Sequence, residues 1–275
     1  MLPADLDATV ARALSEDLGS GDLSAALIDP GRELQARIIS RDNGILCGQP
    51  YAEAVFAQLC SGLQIHWRIG EGERISANQE LCSLHGPAAA LLSGERSALN
   101  FLQLLSATAT QTQAFVEAMQ GSTTRLLDTR KTLPGLRLAQ KYAVRVGGGN
   151  NHRLGLFDGI LIKENHIAAI GGIRAAITRA RTLAPVLTRI EVEVETLEQL
   201  EEAVSAGADM VLLDNFSLAT LREAVQWVAG RIPLEASGNI SLATVASVAA
   251  TGVDYLSVGS ITRNVQSLDL SLRYL

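Results

Sequence analysis

The chain has few of the residues that mark a disulfide framework, a membrane span or a nucleotide loop. It carries three cysteines in 275 residues, Cys47, Cys60 and Cys82. That odd, widely spaced set matches no zinc or disulfide pattern, and it reads as small buried hydrophobes in a reducing compartment. No apolar run reaches the roughly 18 residues that a membrane span needs. The N-terminus has early acids, Asp5 and Asp7, and lacks the charged-then-apolar order of a secretory signal, so a cytoplasmic location is expected. No GxGxxG follows a strand, and the glycine run Gly147-Gly148-Gly149 lacks a GK[ST] ending, which removes the usual dinucleotide and P-loop readings. The net charge of −6 argues against a nucleic-acid partner. No Ser–His–Asp or Cys–His pattern suggests covalent catalysis.

What the chain does have is 47% apolar residues, enough for a large core, and one cationic island. Between Thr124 and His166, eight Lys/Arg face three acids. That stretch is net +5 in a chain of −6, which leaves −11 on the remainder. A small anionic substrate is the first explanation for such an island.

The first hundred residues read as mixed α and β. Val10, Leu14 and Leu18 predict an amphipathic helix over 3–18, closed by Gly19. Leu34–Ser40 reads as a strand, Asp42-Asn43-Gly44 as a hairpin turn, and Pro50–Leu59 as a helix. Gln64–Ile69 and Glu80–Leu84 read as further strands, giving an open α+β layer. From Pro87 to Gln120 the pattern is helical, with a break expected at Gly94. Arg96 falls near the expected helix start, and spacing alone reads it as an exposed residue paired with a neighbouring acid.

From Arg125 onward the rhythm becomes strand–helix. Strands are predicted at Arg125–Leu127, Gly159–Ile162, Arg189–Val194, Met210–Leu213, Pro233–Ala236 and Tyr255–Val258. Helices are predicted at Gly135–Val146, Ile173–Leu183, Leu197–Ala206, Leu218–Ala229 and Leu242–Thr251. Near-continuous apolar strands alternating with helices indicate a parallel sheet covered on both faces, here an α/β barrel. Polar residues close the strands: Lys163, Glu193, Asp214, Ser237-Gly238 and Gly259. Barrel enzymes collect their chemistry on that rim. Ser237, Gly238 and Gly259 suit a phosphate, since exposed backbone N–H groups bind anions. Glu193 and Asp214 suit Mg²⁺ or ribose hydroxyls, although Asp214 is also a helix-cap candidate. Glu191, Glu193 and Glu195 share one strand parity, so pattern does not choose among them. Arg130, Lys131, His152, Arg153 and Lys163 form the cationic side, whereas Arg137, Lys141 and Arg145, spaced by four, read as a solvated or subunit-contact stripe.

These residues sit in segments that resemble the quinolinate phosphoribosyltransferases. The segments are EDLGSGDLS at 16–24, GERSALNFLQ at 94–103, DTRKTLPGLR at 128–137, GGGNNHRLGL at 147–156, LIKENH at 161–166, EVEVE at 191–195, LLDNF at 212–216 and EASGNI at 235–240. The resemblance covers nearly the whole chain. It implies an N-terminal α/β sandwich (1–107, joined by 264–275) and an open, seven-stranded α/β barrel (108–263), one strand more than the periodicity yields. It implies a homodimer in which Arg96 of one protomer enters its partner's site, with Mg²⁺ as cofactor. Quinolinate and phosphoribosyl pyrophosphate (PRPP) would give nicotinate mononucleotide, pyrophosphate and CO₂. Arg96, Arg130, His152 and Arg153 would hold the diacid, and Thr129 would be a further substrate-binding residue. Lys131 and Lys163 would face pyrophosphate or carboxylate oxygens, Glu193 and Asp214 the ribose and Mg²⁺, and Ser237, Gly238 and Gly259 the 5′-phosphate. The catalytic set would be Lys131, Lys163, Glu193 and Asp214. The other readings are a phosphoribosyltransferase with another acceptor such as nicotinate, a molybdenum-transport-associated paralogue, and a silent anion-binding protein.

Overall fold

The computed structural model describes residues 1–275. In chain order the first elements are α1 (Leu6–Leu18), β1 (Glu33–Ser40), β2 (Gly44–Ile45), α2 (Gln49–Leu59), β3 (Gln64–Trp67), β4 (Arg74–Ile75), β5 (Glu80–Pro87) and α3 (Ala88–Ala118). There follow β6 (Arg125–Leu127), α4 (Arg137–Val146), β7 (Ile160–Ile162), α5 (Glu164–Ile170), α6 (Ile173–Leu183), β8 (Ile190–Val194), α7 (Leu197–Ser205) and β9 (Met210–Asp214). The last are α8 (Leu218–Val228), β10 (Leu234–Ser237), α9 (Val245–Ala249), β11 (Tyr255–Ser257), α10 (Ser260–Arg263) and β12 (Leu270–Tyr274). Two compact units result: Met1–Gln113 with Thr132–Gly148 and Ile261–Leu275, and Ala114–Lys131 with Gly149–Ser260.

The first unit is built on an antiparallel sheet of order β12-β1-β5-β3. Its core includes Val10, Ile38, Tyr51, Phe56, Leu84 and Leu102. The expected hairpin at Asp42-Asn43-Gly44 does not form. Both edges of β1 are taken, by β12 and β5, so β2 pairs with β4 instead. The expected break at Gly94 is also absent, and α3 runs unbroken for 31 residues. Gly94 is there for packing: a Cβ would lie 2.7–2.9 Å from the Phe56 ring and Leu59. Arg96 is therefore exposed well inside α3, not near a helix start.

The division places 108–113 and 132–148 in the first unit, where the sequence reading puts them with the barrel. Hydrogen bonding supplies the reason. The Tyr142 hydroxyl donates to Glu71 at 2.8 Å, and Glu71 also accepts from the N–H groups of Gly48 and Gln49 at the start of α2. Gln140 is fully buried, accepting from Leu133 N–H and donating to the Thr262 carbonyl. The predicted solvated stripe needs correction at its centre, because Lys141 is buried at 1% exposure while Arg145 stays exposed.

The second unit is a parallel six-stranded sheet of order β6-β11-β10-β9-β8-β7. Six strands stand where the resemblance implies seven. On the free edge of β6 there is only an isolated bridge, Leu127 to Asn150. The sequence reading missed α5, which begins directly after β7, and α9 is shorter than predicted because Thr244 Oγ1 closes a turn by accepting Ser241 N–H at 3.0 Å. No helix in the chain is long and apolar enough to cross a membrane.

Candidate active site

The C-terminal ends of the barrel strands enclose a cavity of about 170 Å³. Thr129, Arg130, Lys131, His152, Arg153, Lys163, Glu193 and Ser237 all line it. Three predicted residues border it: Asp214 pairs in register with Ser237, Gly238 follows, and Gly259 packs against Lys131 and Thr129. A Cβ on Gly259 would lie 3.0 Å from Lys131 Cδ, so glycine lets the Lys131 chain lie flat over the last strand. Gly238 has φ 98, and a Cβ there would overlap the Asn215 side chain. Arg96 belongs to the first unit and lines a different cavity, with Arg12, Glu16 and Asp17 among its walls.

One buried acid assembles the cationic side. Asp128, fully buried at the end of β6, accepts the His152 N–H on Oδ1 (2.9 Å) and the Asn151 side-chain amide on Oδ2 (2.7 Å). Asn150 bonds β6 on either side, N–H to the Leu126 carbonyl and carbonyl to the Asp128 N–H. The segment 150–153 is thus stapled along β6, which brings His152 and Arg153 beside Arg130 and Lys131. Arg153 donates Nη1 to the Gly159 carbonyl at 3.0 Å. Burial lowers its pKa, and the neighbouring Arg130 guanidinium lowers it further. Arg130 Nε is buried with no hydrogen-bond partner, an orphaned donor on the cavity wall. Two crowded guanidinium groups, one with an unmet donor, are suited to a dicarboxylate, which would relieve both costs.

The acidic side faces them. Lys163 Nζ lies 2.5 Å from Glu193 Oε2, joining the ends of β7 and β8. Lys163 N–H is fixed by His166 Nδ1 at 3.0 Å, so the IKENH segment orients its own lysine. Burial raises the Asp214 pKa, and the nearby Glu193 carboxylate raises it further while Lys163 opposes. Two hard oxygen donors on one rim that disfavour each other's charge fit a divalent cation. Asp214 does not cap α8, a role taken by the Ser217 hydroxyl. Of the three same-parity glutamates, Glu195 is exposed, Glu193 pairs with Lys163, and Glu191 is buried.

Known proteins resolve what such a rim belongs to. Residues 22–106 match the N-terminal domain model of quinolinate phosphoribosyl transferase, and 108–273 match the C-terminal domain model. The chain belongs to the quinolinate phosphoribosyltransferase family. The Bacillus subtilis protein named probable nicotinate-nucleotide pyrophosphorylase [carboxylating] is 44% identical over 257 residues, covering 94% of this chain and 89% of that protein. The tobacco quinolinate phosphoribosyltransferase [decarboxylating] 1b is 37% identical over 289 residues, covering 98% of this chain and 82% of that one. The solved nicotinate-nucleotide pyrophosphorylase of Francisella tularensis is 45% identical with a TM-score of 0.95, covering 100% of this chain and 98% of that one.

In this quinolinate phosphoribosyltransferase family member, sequence reasoning gave no role to Asp128 or Glu235 and left Glu191 undecided among three glutamates. Asp128 is the staple described above. Glu191 and Glu235 lie beneath His152, whose Nε2 is 2.9 Å from Glu191 Oε2 and 3.5 Å from Glu235 Oε2. Burial, then the adjacent Glu191 carboxylate, hold Glu235 well above the usual carboxylate range, while His152 and the Ser257 side chain oppose. The signal was present in the sequence: each glutamate interrupts an apolar strand in a sheet whose faces are both covered.

Proposed function

We propose that the barrel rim binds quinolinate on its cationic side and PRPP across its acidic side, with the transfer taking place between them. The activity is that of a quinolinate phosphoribosyltransferase, yielding nicotinate mononucleotide for NAD biosynthesis. The observation that carries the assignment of roles is the single cavity shared by Arg130, Lys131, Arg153, Lys163 and Glu193. A trap for anions alone would gain nothing from a carboxylate on its wall.

In this reading Arg130 and Arg153 grip the pyridine carboxylates, with Thr129 and His152 beside them, and aim the ring nitrogen at ribose C1′. That nitrogen bonds to C1′ as the C1′–O bond to pyrophosphate breaks. Glu193 and Asp214 hold the ribose hydroxyls and stabilise positive charge developing on the sugar. They are also the groups that would hold Mg²⁺, which when bound neutralises charge on the departing pyrophosphate. Lys131 and Lys163 face those same oxygens, and Ser237, Gly238 and Gly259 receive the 5′-phosphate. The alkylated, positively charged ring then accepts the electron pair left when the C2–carboxylate bond breaks, CO₂ departs, and C2 takes a proton from solvent. Arg96, exposed on α3, completes the rim of a second protomer in a homodimer. The enzyme is cytoplasmic in this reading, in keeping with its three free cysteines.

The test offers the protein Mg²⁺, PRPP and either quinolinate or nicotinate. Nucleotide formed from quinolinate alone supports the reading. Nucleotide formed from nicotinate alone overturns it in favour of a mono-acid acceptor, and no nucleotide from either overturns the enzymatic reading altogether.

A further inference from the structure

Beneath the rim, His152 stands between two buried glutamates and the chain that carries Arg153. Its side chain is 14% exposed, that of Glu191 7% and that of Glu235 1%. The ring's Nδ1 accepts the Arg153 N–H at 2.7 Å. A nitrogen that accepts an N–H carries no proton, so the ring's one proton is on Nε2. Nε2–H then donates to Glu191 Oε2 at 2.9 Å, with Glu235 Oε2 as the farther neighbour at 3.5 Å. Both ring nitrogens are therefore committed within the protein, and neither is left to bind a substrate carboxylate.

We propose that Glu191 is a positioning residue for the diacid-binding arginine and acts through His152 as a neutral strut. The proposal rests on the reading of the rim given above and deepens it. The strut runs from the floor of the barrel, through the imidazole, to the Arg153 amide. Asp128 holds the same segment by the His152 N–H, and Gly159 holds the Arg153 guanidinium. Arg153 thus meets its ligand with its backbone and its side chain fixed in advance, which saves the entropy of ordering it on binding. The ring has a second consequence. His152 and Arg153 line both the rim cavity and another of about 380 Å³, whose walls include Ile160, Met210 and Tyr255 at the N-terminal starts of their strands. These two side chains separate the substrate cavity from that lower one.

The ligand atoms of His152, Glu191 and Glu235 lie within 4.8 Å of one another, a spacing that a transition metal accepts. The strut is favoured because the imidazole already has a hydrogen-bond partner at each nitrogen, whereas a metal would have to displace the Nε2 proton.

The experiment joins ¹⁵N NMR of the four histidines with kinetics. The His152 signal is identified by its loss in His152→Gln. Wild-type protein should show His152 as the neutral Nε2–H tautomer near pH 7, unchanged on adding Zn²⁺ or Mn²⁺. Glu191→Ala should mix the tautomers and raise KM for quinolinate about tenfold while leaving KM for PRPP in place. Glu191→Gln, whose amide oxygen still accepts the Nε2 proton, should recover most of that loss. An Nδ1–H ring, an imidazolium, or loss of the Nε2 proton to metal overturns the strut, and so does an equal rise in both KM values. The NMR measurement needs no substrate and reads the tautomer in the wild type, with His152→Gln serving only to assign the signal. Absence of turnover in the wild type would sink the reading of the rim, and the tautomer would show separately whether the strut exists.

Discussion

Lys163 and Glu193 meet at 2.5 Å across the ends of β7 and β8. The pair holds the lysine extended over the rim and fixes the glutamate beside the place assigned to the sugar. Its lysine is 46% exposed, so the pair adds little to stability. In the reaction proposed above, the ammonium turns from carboxylate to pyrophosphate as charge develops. Lys163→Ala should lower kcat by about 10²–10³, the usual cost of removing one preorganised donor. Circular dichroism and the melting temperature should stay close to wild type. A melting temperature that falls with activity would make the residue structural.

Arg153 separates charge from shape. Arg153→Lys keeps the cation and loses the planar fork. One lost charge-assisted bond of about 1.5–3 kcal/mol corresponds to a rise of about 10–150-fold in KM for quinolinate. KM for PRPP should not follow. Steady-state kinetics with each substrate varied in turn decide the matter.

Gly94 offers a test of the fold alone. Alanine in a helix interior gains about 1 kcal/mol over glycine. Here its Cβ would press within 2.7–2.9 Å of Phe56 and Leu59, and overpacking costs about 1–3 kcal/mol. Gly94→Ala should therefore lower stability in urea, whereas a generic helix glycine would raise it.

Glu235 should make stability depend on pH in an unusual direction. Its folded pKa is raised above its ordinary value, by burial first and Glu191 second. Between those two values the folded state holds a proton that the unfolded state has lost, so stability falls as pH rises through that window. Glu235→Gln removes the titrating group while keeping its shape. The wild type should lose stability relative to this variant as pH climbs from about 5 toward 8, measured by urea unfolding at fixed ionic strength. A difference independent of pH would mean that Glu235 is ionised throughout.

Arg96 provides the test of assembly. Arg96→Ala and Arg153→Ala should each be nearly inactive alone. Mixed dimers, confirmed by mass, should regain about half of wild-type activity per dimer, because one of their two sites escapes both changes. No recovery in confirmed mixed dimers would place Arg96 outside its partner's site.

The barrel was legible because its strands are apolar runs with polar ends, and Lys163, Glu193 and Asp214 stand out against Ile-Leu-Ile, Glu-Val and Val-Leu-Leu. The rim cations were legible as an excess of charge in one stretch. What escaped depends on contacts between distant segments. Gly94 looks like a helix breaker until Phe56 is known to press on it. Asp42-Asn43-Gly44 looks like a hairpin until both edges of β1 are known to be filled. Lys141 looks solvated because it is spaced like two arginines, yet it is buried in the first unit. Glu191 could not be told from Glu193 by strand parity, since both point into the barrel and only depth along the strand separates floor from rim.

The central claim is that one rim both joins quinolinate to the ribose and discharges its 2-carboxylate. The direct measurement supplies quinolinate labelled at the 2-carboxyl carbon, with PRPP and Mg²⁺, and follows labelled CO₂ beside nicotinate mononucleotide. One labelled CO₂ for each nucleotide, in step through the time course, is the predicted result. Nucleotide that retains the label, or CO₂ released without PRPP, would contradict it.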